Sequence, residues 1–350
     1  MRTLEWENDH NQLKLIDQRK LPAELVYQYI KTSDELINAI QDMVIRGAPA
    51  LGVAGGFGIA LEARNLAHKK SSHWRKELRE AAVKISNARP TAVNLAWGVN
   101  RVMKTITSLG EDDINQAASL ALSEALAMAE EDVATNQKLA INGASLINDG
   151  DVIIHHCNTG ALAGVDWGTA LGAIRYAHES GKRVKVLVDE TRPRLQGSRL
   201  TAWECEQYRI PYEVITDNAA GYFLQHGLVN AVFFGADRIA ANGDVVNKIG
   251  TYMLSLAAHA NNVPVISVFP RSTVDLSVAT GLEIPIEERD EEEVLGIEFR
   301  GQRVSPKGTH ARNPAFDVTP NSLITAWVTE DGILYPPFNF NYVHSVYNSK

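Results

Sequence analysis

The feature that most constrains the fold is a change of pattern at Asp151. Beyond it, short β-branched runs at Val152–His156, Val184–Val188, Glu213–Thr216, Ala231–Phe234 and Val265–Val268 alternate with helical patterns. Those helices are expected near Trp167–Glu179, Gly197–Tyr208, Ala219–His226 and Asn247–Ala260. Strands separated by helices pair in parallel through crossovers, so this half predicts an α/β, Rossmann-like, doubly wound sheet. Pro264 precedes the last run, where a missing N–H is tolerated. Upstream, Leu36, Ile37, Ile40 and Val44 form an apolar stripe behind Ser33, a candidate N-cap. Helical patterns continue over Pro49–Leu66, Trp74–Asn87 and Val93–Ser108. A long one follows from Glu111 to about Ile147, stopped by Asn148-Asp149-Gly150. Alternation in Thr3–Glu7 and Gln12–Asp17 around Asn8-Asp9-His10-Asn11 predicts a β-hairpin. The expected organisation is a mainly helical N-terminal domain with a small β-hairpin over 1–125 and a Rossmann-like domain over 126–350. A long helix of about 111–147 connects them.

A chain of 350 residues can bury a large core. Its formal net charge of −8 argues against nucleic-acid and membrane-surface partners, which need a basic face. Two cysteines, Cys157 and Cys205, give no disulfide framework and fit a reducing compartment. The first residues, Met1-Arg2-Thr3-Leu4-Glu5-Trp6-Glu7, are too acidic for a signal peptide, and no apolar run is long enough to span a bilayer. A cytoplasmic protein is the expectation.

Ligands of open α/β sheets sit outside the carboxyl ends of the strands. Cys157 falls there, ahead of Asn158-Thr159-Gly160 and an expected helix start, where amides would favour a thiolate. The plain alternative is a small buried hydrophobe. A metal site at His155-His156-Cys157 is disfavoured, because adjacent strand residues point to opposite faces and no spaced ligand set completes a shell. Asp237, after the Ala231–Phe234 run, reads as a partly desolvated acid, a helix N-cap or a partner of Arg238. Lys248, in Asn247-Lys248-Ile249-Gly250-Thr251, is placed at a helix N-terminus, where the macrodipole disfavours a cation; a phosphate partner would explain it, and a solvent-facing lysine is the plain alternative. Arg46-Gly47-Ala48-Pro49-Ala50 offers an arginine and loop amides for an anion, with Gly47 as a helix C-cap and Pro49 starting the next helix. Arg89 lies at another helix end. Thr191 to Arg199, with three arginines, Gln196 and Gly197, reads as an anion-binding loop or as a solvated one, the acidic chain disfavouring nucleic-acid contact. The glycines of 52–58 follow no strand, so close helix packing accounts for them better than a dinucleotide fingerprint.

Taken together, these segments resemble the methylthioribose-1-phosphate isomerase family over nearly the whole chain. The likeness rests on Arg46–Ala50, Ala88-Arg89-Pro90-Thr91-Ala92, His156–Gly160, Asp189-Glu190-Thr191-Arg192-Pro193, and Gly235-Ala236-Asp237-Arg238 through Asn247–Thr251. The resemblance implies a Rossmann-like catalytic domain, a homodimer, a sugar-phosphate substrate of methionine salvage, and neither cofactor nor metal. It implies Cys157 and Asp237 as the catalytic pair, and Arg46, Gly47, Ala48, Arg89, Gln196, Asn247 and Lys248 as substrate contacts. Ribose-1,5-bisphosphate isomerases and the regulatory subunits of the eukaryotic initiation-factor guanine-nucleotide exchange complex share the superfamily. The intact Cys157 motif favours the methylthioribose enzyme over the latter.

Overall fold

A computed structural model of the chain describes residues 1–89, 92–107 and 113–338, so Pro90, Thr91, Ser108, Glu111 and Asp112 lie outside the described residues. The chain divides into two compact units. One comprises Met1–Gln137 with Thr159–Gly168; the other comprises Lys138–Asn158 with Thr169–Lys350.

In the first unit, β1 (Leu4–Glu7) and β2 (Gln12–Ile16) form the expected antiparallel hairpin, and β3 (Tyr27–Ile30) adds a third strand. Leu4, Trp6, Leu13 and Leu15 are buried, the period-two signature of a half-buried sheet. Helix α1 (Ser33–Gln41) is capped by Thr32, one residue before the predicted cap, through a capping box with Glu35. Helices α2 (Ala48–Lys69), α3 (Trp74–Ser86), α4 (Val93–Thr107) and α5 (Ile114–Ala144) follow. Gly47 is the N-cap of α2, not a C-cap of α1, because α1 ends five residues earlier at Asp42. The glycines do serve close packing: a Cβ on Gly98 of α4 would lie 1.9 Å from the Gly52 carbonyl of α2.

The second unit is built on a seven-stranded sheet. Its strands are β4 (Val152–His155), β5 (Lys185–Asp189), β6 (Tyr212–Ile215) and β7 (Ala231–Phe234), then β10 (Val265–Val268), β15 (Ala326–Thr329) and β16 (Gly332–Leu334). The order is β16-β15-β10-β7-β4-β5-β6, parallel except for β16. Helices α6 (Ala170–Glu179), α7 (Ala202–Gln207), α8 (Ala220–Gln225) and α9 (Thr251–Ala260) provide crossovers. Ile153, Val186, Val188 and Phe233 pack into one apolar cluster, while Ile154, Leu187, Val232 and Phe234 pack into another. A sheet buried on both faces explains why these strands read as continuous apolar runs.

A second, four-stranded sheet was not legible in the sequence. It orders β11 (Val274–Asp275), β8 (Arg238–Ala240), β9 (Val245–Lys248) and β14 (Phe316–Thr319). Asn242-Gly243 turns the β8–β9 hairpin, with Gly243 at φ +97°. Asn247 and Lys248 are therefore strand residues, and α9 starts only at Thr251. The helical expectation fails because β9 pairs with β14, about seventy residues further on, a contact no local pattern announces. A two-stranded hairpin, β12 (Glu298–Phe299) with β13 (Gln302–Arg303), and the short α10 (Glu292–Leu295) complete the unit.

Candidate active site

Strand β4 has β5 on one side and β7 on the other, so successive crossovers leave it in opposite directions. That is the topological switch point, where the two adjoining loops splay apart and open a crevice at the carboxyl edge. His155 of β4 lies opposite Phe233 of β7. Cys157 follows two residues after the first, and Asp237 four residues after the second. Neighbouring strands run about 4.8 Å apart, so both loops leave the same edge side by side.

Cys157 is buried and held at φ +70°, a region a non-glycine residue enters only when its surroundings impose it. Both its backbone groups are occupied by buried threonines. Its N–H donates to Thr191 Oγ1 at 2.9 Å, and Thr201 Oγ1 donates to its carbonyl at 2.8 Å. Gln196 Nε2 lies 3.4 Å from Sγ and donates to it, while Gln196 Oε1 is buried without a hydrogen-bond partner. The regular helix expected after Cys157 is absent; a single 3₁₀ turn, Ala161–Ala163, stands there. Thr191 and Leu195 also have positive φ, so the strained positions gather around the thiol.

Asp237 caps no helix: it precedes β8, and its N–H donates to Val246 O. The guanidinium of its neighbour Arg238 binds Asp275. The helix-cap alternative falls away. The expected desolvation is not met either, for Asp237 is exposed. Lys248 is buried at the end of β9, with Nζ donating to Ala315 O at 2.5 Å and lying 4.4 Å from the Phe316 ring centre. Burial, and then Arg289, lower its pKa from 10.5 to about 8, against the upward pull of Cys157, Asp237 and Glu293. One lysine thus feels both the thiol and the carboxyl. Asn247 Nδ2 donates to Thr251 Oγ1, which fixes the strand end to the start of α9.

The arginine loop is committed differently from expectation. Arg192 donates to the carbonyls of Pro193 and Val294, and Arg194 pairs with Glu293 at 2.9 Å. Gln196 is the loop residue that reaches the thiol. His155 and His156 face apart: His155 Nδ1 meets Phe233 O, while His156 meets Asp189 and Ile249 O. His156, Asp189 and Asp217 offer ligand atoms within 4.8 Å of one another, but both Asp217 oxygens accept backbone N–H groups from Thr191 and Arg192.

The remaining sequence candidates belong to the first unit. Arg46 is half-buried just before α2, and Gly47 caps α2 without a side chain, so no cap side chain covers the first-turn amides. Ala48 is the first helical residue. This is the arrangement in which a helix N-terminus favours an anion. A Cβ on Gly47, at φ +100°, would lie 2.3 Å from Ala163 O. Arg89 is half-buried after α3, its carbonyl accepting from Ala92 N–H.

A family model described as the initiation factor 2 subunit family matches residues 44–336. A methylthioribose-1-phosphate isomerase from a Synechococcus strain is 51% identical over 330 residues, 94% of this chain and 93% of that protein. One from Thermotoga maritima is 50% identical over 340 residues, 97% and 96% of the two chains. Among solved structures, the 5-methylthioribose 1-phosphate isomerase from Pyrococcus horikoshii superposes with a TM-score of 0.89 at 39% identity, covering 100% of this chain and 96% of that one. A structure named as translation initiation factor eIF-2B, subunit delta, from A. fulgidus superposes with a TM-score of 0.86 at 41% identity, covering 99% of each.

Proposed function

The chain belongs to the initiation factor 2 subunit family, and from that premise we propose that it is an aldose–ketose isomerase converting 5-methylthioribose 1-phosphate to 5-methylthioribulose 1-phosphate. The observation that carries the reading is the delivery of Cys157 and Asp237 from adjacent strands at the switch point, with one buried lysine sensing both. The substrate's anomeric oxygen carries phosphate, so its ring cannot open spontaneously to a free aldehyde. Acid catalysis at the ring oxygen is required. Asp237 serves as that acid and later accepts a hydroxyl proton; its exposure means that bound substrate supplies the desolvation that suits a carboxylic acid to this task. Cys157 addresses C2. It is the base if an enediolate forms, or a polar stabiliser if hydride shifts from C2 to C1 while the C2 hydroxyl loses its proton. Gln196 fixes Sγ, and Lys248 and Asn247 hold phosphate and hydroxyls. Arg46, Gly47, Ala48 and Arg89 are assigned as substrate contacts on the family resemblance, supported by the uncapped start of α2.

The test is direct incubation of the protein with 5-methylthioribose 1-phosphate and with ribose 1,5-bisphosphate, reading ketose with a carbonyl reagent. Preferred turnover of the first supports the assignment. Preferred turnover of the second replaces it with the bisphosphate enzyme, whose second phosphate would need cations that Arg192 and Arg194 have committed to Val294 and Glu293. Binding without turnover of either identifies a regulatory subunit. Following C2 deuterium separates the routes: loss to solvent marks the enediolate, and retention at C1 marks the hydride shift.

The protein is also assigned as a cytoplasmic homodimer. Tyr252, Met253 and Leu256 leave apolar surface exposed on α9, a face suited to burial against a second copy. The two cysteines are unpaired thiols, in keeping with a reducing compartment. Among the described residues no helix is long and apolar enough to cross a membrane. Sedimentation equilibrium decides the dimer.

A further inference from the structure

We infer that the buried pair His156–Asp189 is a positioning device that holds the turn after β9 in register with the Cys157 loop. The inference rests on the proposed roles of Cys157 and Lys248, and it assigns a task to two residues that touch no substrate in that scheme.

His156 directly precedes Cys157, and its ring is fully engaged. Nδ1 lies 2.8 Å from Asp189 Oδ2 and Nε2 lies 3.0 Å from the Ile249 carbonyl. A carbonyl oxygen only accepts, so Nε2 carries a proton and donates it. Ile249 follows Lys248, so this bond fixes the strand end that presents the lysine. The ring also packs on the next residue: a Cβ on Gly250 would lie 2.9 Å from His156 Cε1. On the same turn, Asp317 Oδ2 accepts the Gly250 N–H at 2.7 Å. Asp189 extends the link to the thiol. Its carbonyl accepts from Thr191 Oγ1 at 3.0 Å, and that hydroxyl oxygen accepts the Cys157 N–H. One buried ion pair therefore ties together the loops after β4, β5 and β9, including the residue held at φ +70°. Strain of that kind persists only where the surroundings over-determine it.

The pair's electrostatics agree with its geometry. Burial alone would strip the imidazole of its proton. The Asp189 hydrogen bond and charge, helped by Cys157 and Asp217, outweigh that and lift His156 to about 9. Burial raises Asp189 to about 6 against the pull of His156, so the pair retains a shared proton through neutral pH. Asp317, raised to about 6 by burial, and His155, kept neutral by burial with its ring turned away, also feel the charge of His156. With both nitrogens committed and 1% of its side chain exposed, the ring orients its neighbours and exchanges no proton with substrate.

The test uses full-length protein with histidine labelled in its ring nitrogens, and the variants His156→Gln, His156→Leu and Asp189→Asn. His156→Gln keeps a donor where Nε2 stood, and its spectrum identifies the His156 resonances by their loss. Wild-type His156 is expected to be protonated on both nitrogens at pH 7, with both signals moving when inorganic phosphate is added. In Asp189→Asn the second proton should leave below pH 7. His156→Leu should lose about tenfold or more in kcat/KM, mostly through KM, which is the scale of one charge-assisted hydrogen bond. His156→Gln should recover most of that loss. Wild-type kinetics in His156→Leu, or a singly protonated ring indifferent to phosphate, would overturn the inference. The spectra of the wild-type protein decide it even if a variant fails to fold. Absence of turnover in the wild type would instead remove the functional reading and leave the spectral test intact.

Discussion

Replacing Lys248 with Met should make the ligand-free protein more stable while weakening its hold on phosphate. Lys248 is 6% exposed, and burial followed by Arg289 brings its pKa from 10.5 to about 8. At 1.36 kcal/mol per pH unit, that fall corresponds to about 3 kcal/mol by which the fold disfavours the ammonium at neutral pH. The sign follows from proton counts. Between about 8 and 10.5 the unfolded chain binds more protons than the folded one, so stability rises with pH across that window. The penalty is complete below pH 8 and gone above pH 10.5. Met keeps the unbranched stem beside Phe316 but removes one of two donors to the Ala315 carbonyl, which retains the Ile249 N–H, at a cost of about 1 kcal/mol or less. The net expectation is a gain of about 2 kcal/mol at pH 7 that shrinks and reverses by pH 10.5. Urea unfolding at pH 7 and pH 10 measures it, and phosphate titration at pH 7 reads the lost binding. A variant less stable than wild type at pH 7, or a difference unchanged at pH 10, would refute the account of a buried, strained cation kept for its ligand.

Asp237→Asn should leave the unfolding midpoint within experimental error, since the side chain is exposed, yet reduce kcat by about 100-fold or more in a ketose-release assay. The pH profile of kcat/KM should fall above about pH 8 as Lys248 loses its proton, approaching one decade per pH unit; a profile flat to pH 9.5 would remove the lysine from substrate binding. Gly47→Ala should destabilise the protein by roughly 2 kcal/mol or more, because the residue sits at φ +100° and the new methyl would meet Ala163 O; thermal unfolding checks it.

Much of the second unit was legible because its parallel strands are buried on both faces and advertise themselves as short β-branched runs. Strand ends located Cys157 and Asp237 for the same reason. The errors are equally physical. No strand is predicted over Arg238–Lys248, and its end is assigned to a helix, because the strands are three or four residues long and their partners are distant or separated by a single tight turn. The structure puts Lys248 at a strand end instead of the expected helix start, so the dipole argument for its ligand gives way to one from burial. Sequence context gives His156 as part of a disfavoured metal fragment and Asp189 only as part of a family motif. The only local sign of their link is Gly250, whose missing Cβ makes room for the imidazole.

The sequence by itself determined the class of fold, the switch between helical and β grammar at Asp151, and the residue types able to move protons at a sheet edge. These are encoded in periodicity and turn chemistry, which act over a few residues. Only the tertiary structure decided that Cys157 and Asp237 leave adjacent strands, that Asp237 is exposed while Lys248 is buried, and that His156 joins three loops. Those outcomes depend on strand order and on pairings across thirty to ninety residues, where burial and unlike charge, not local propensity, set the energy.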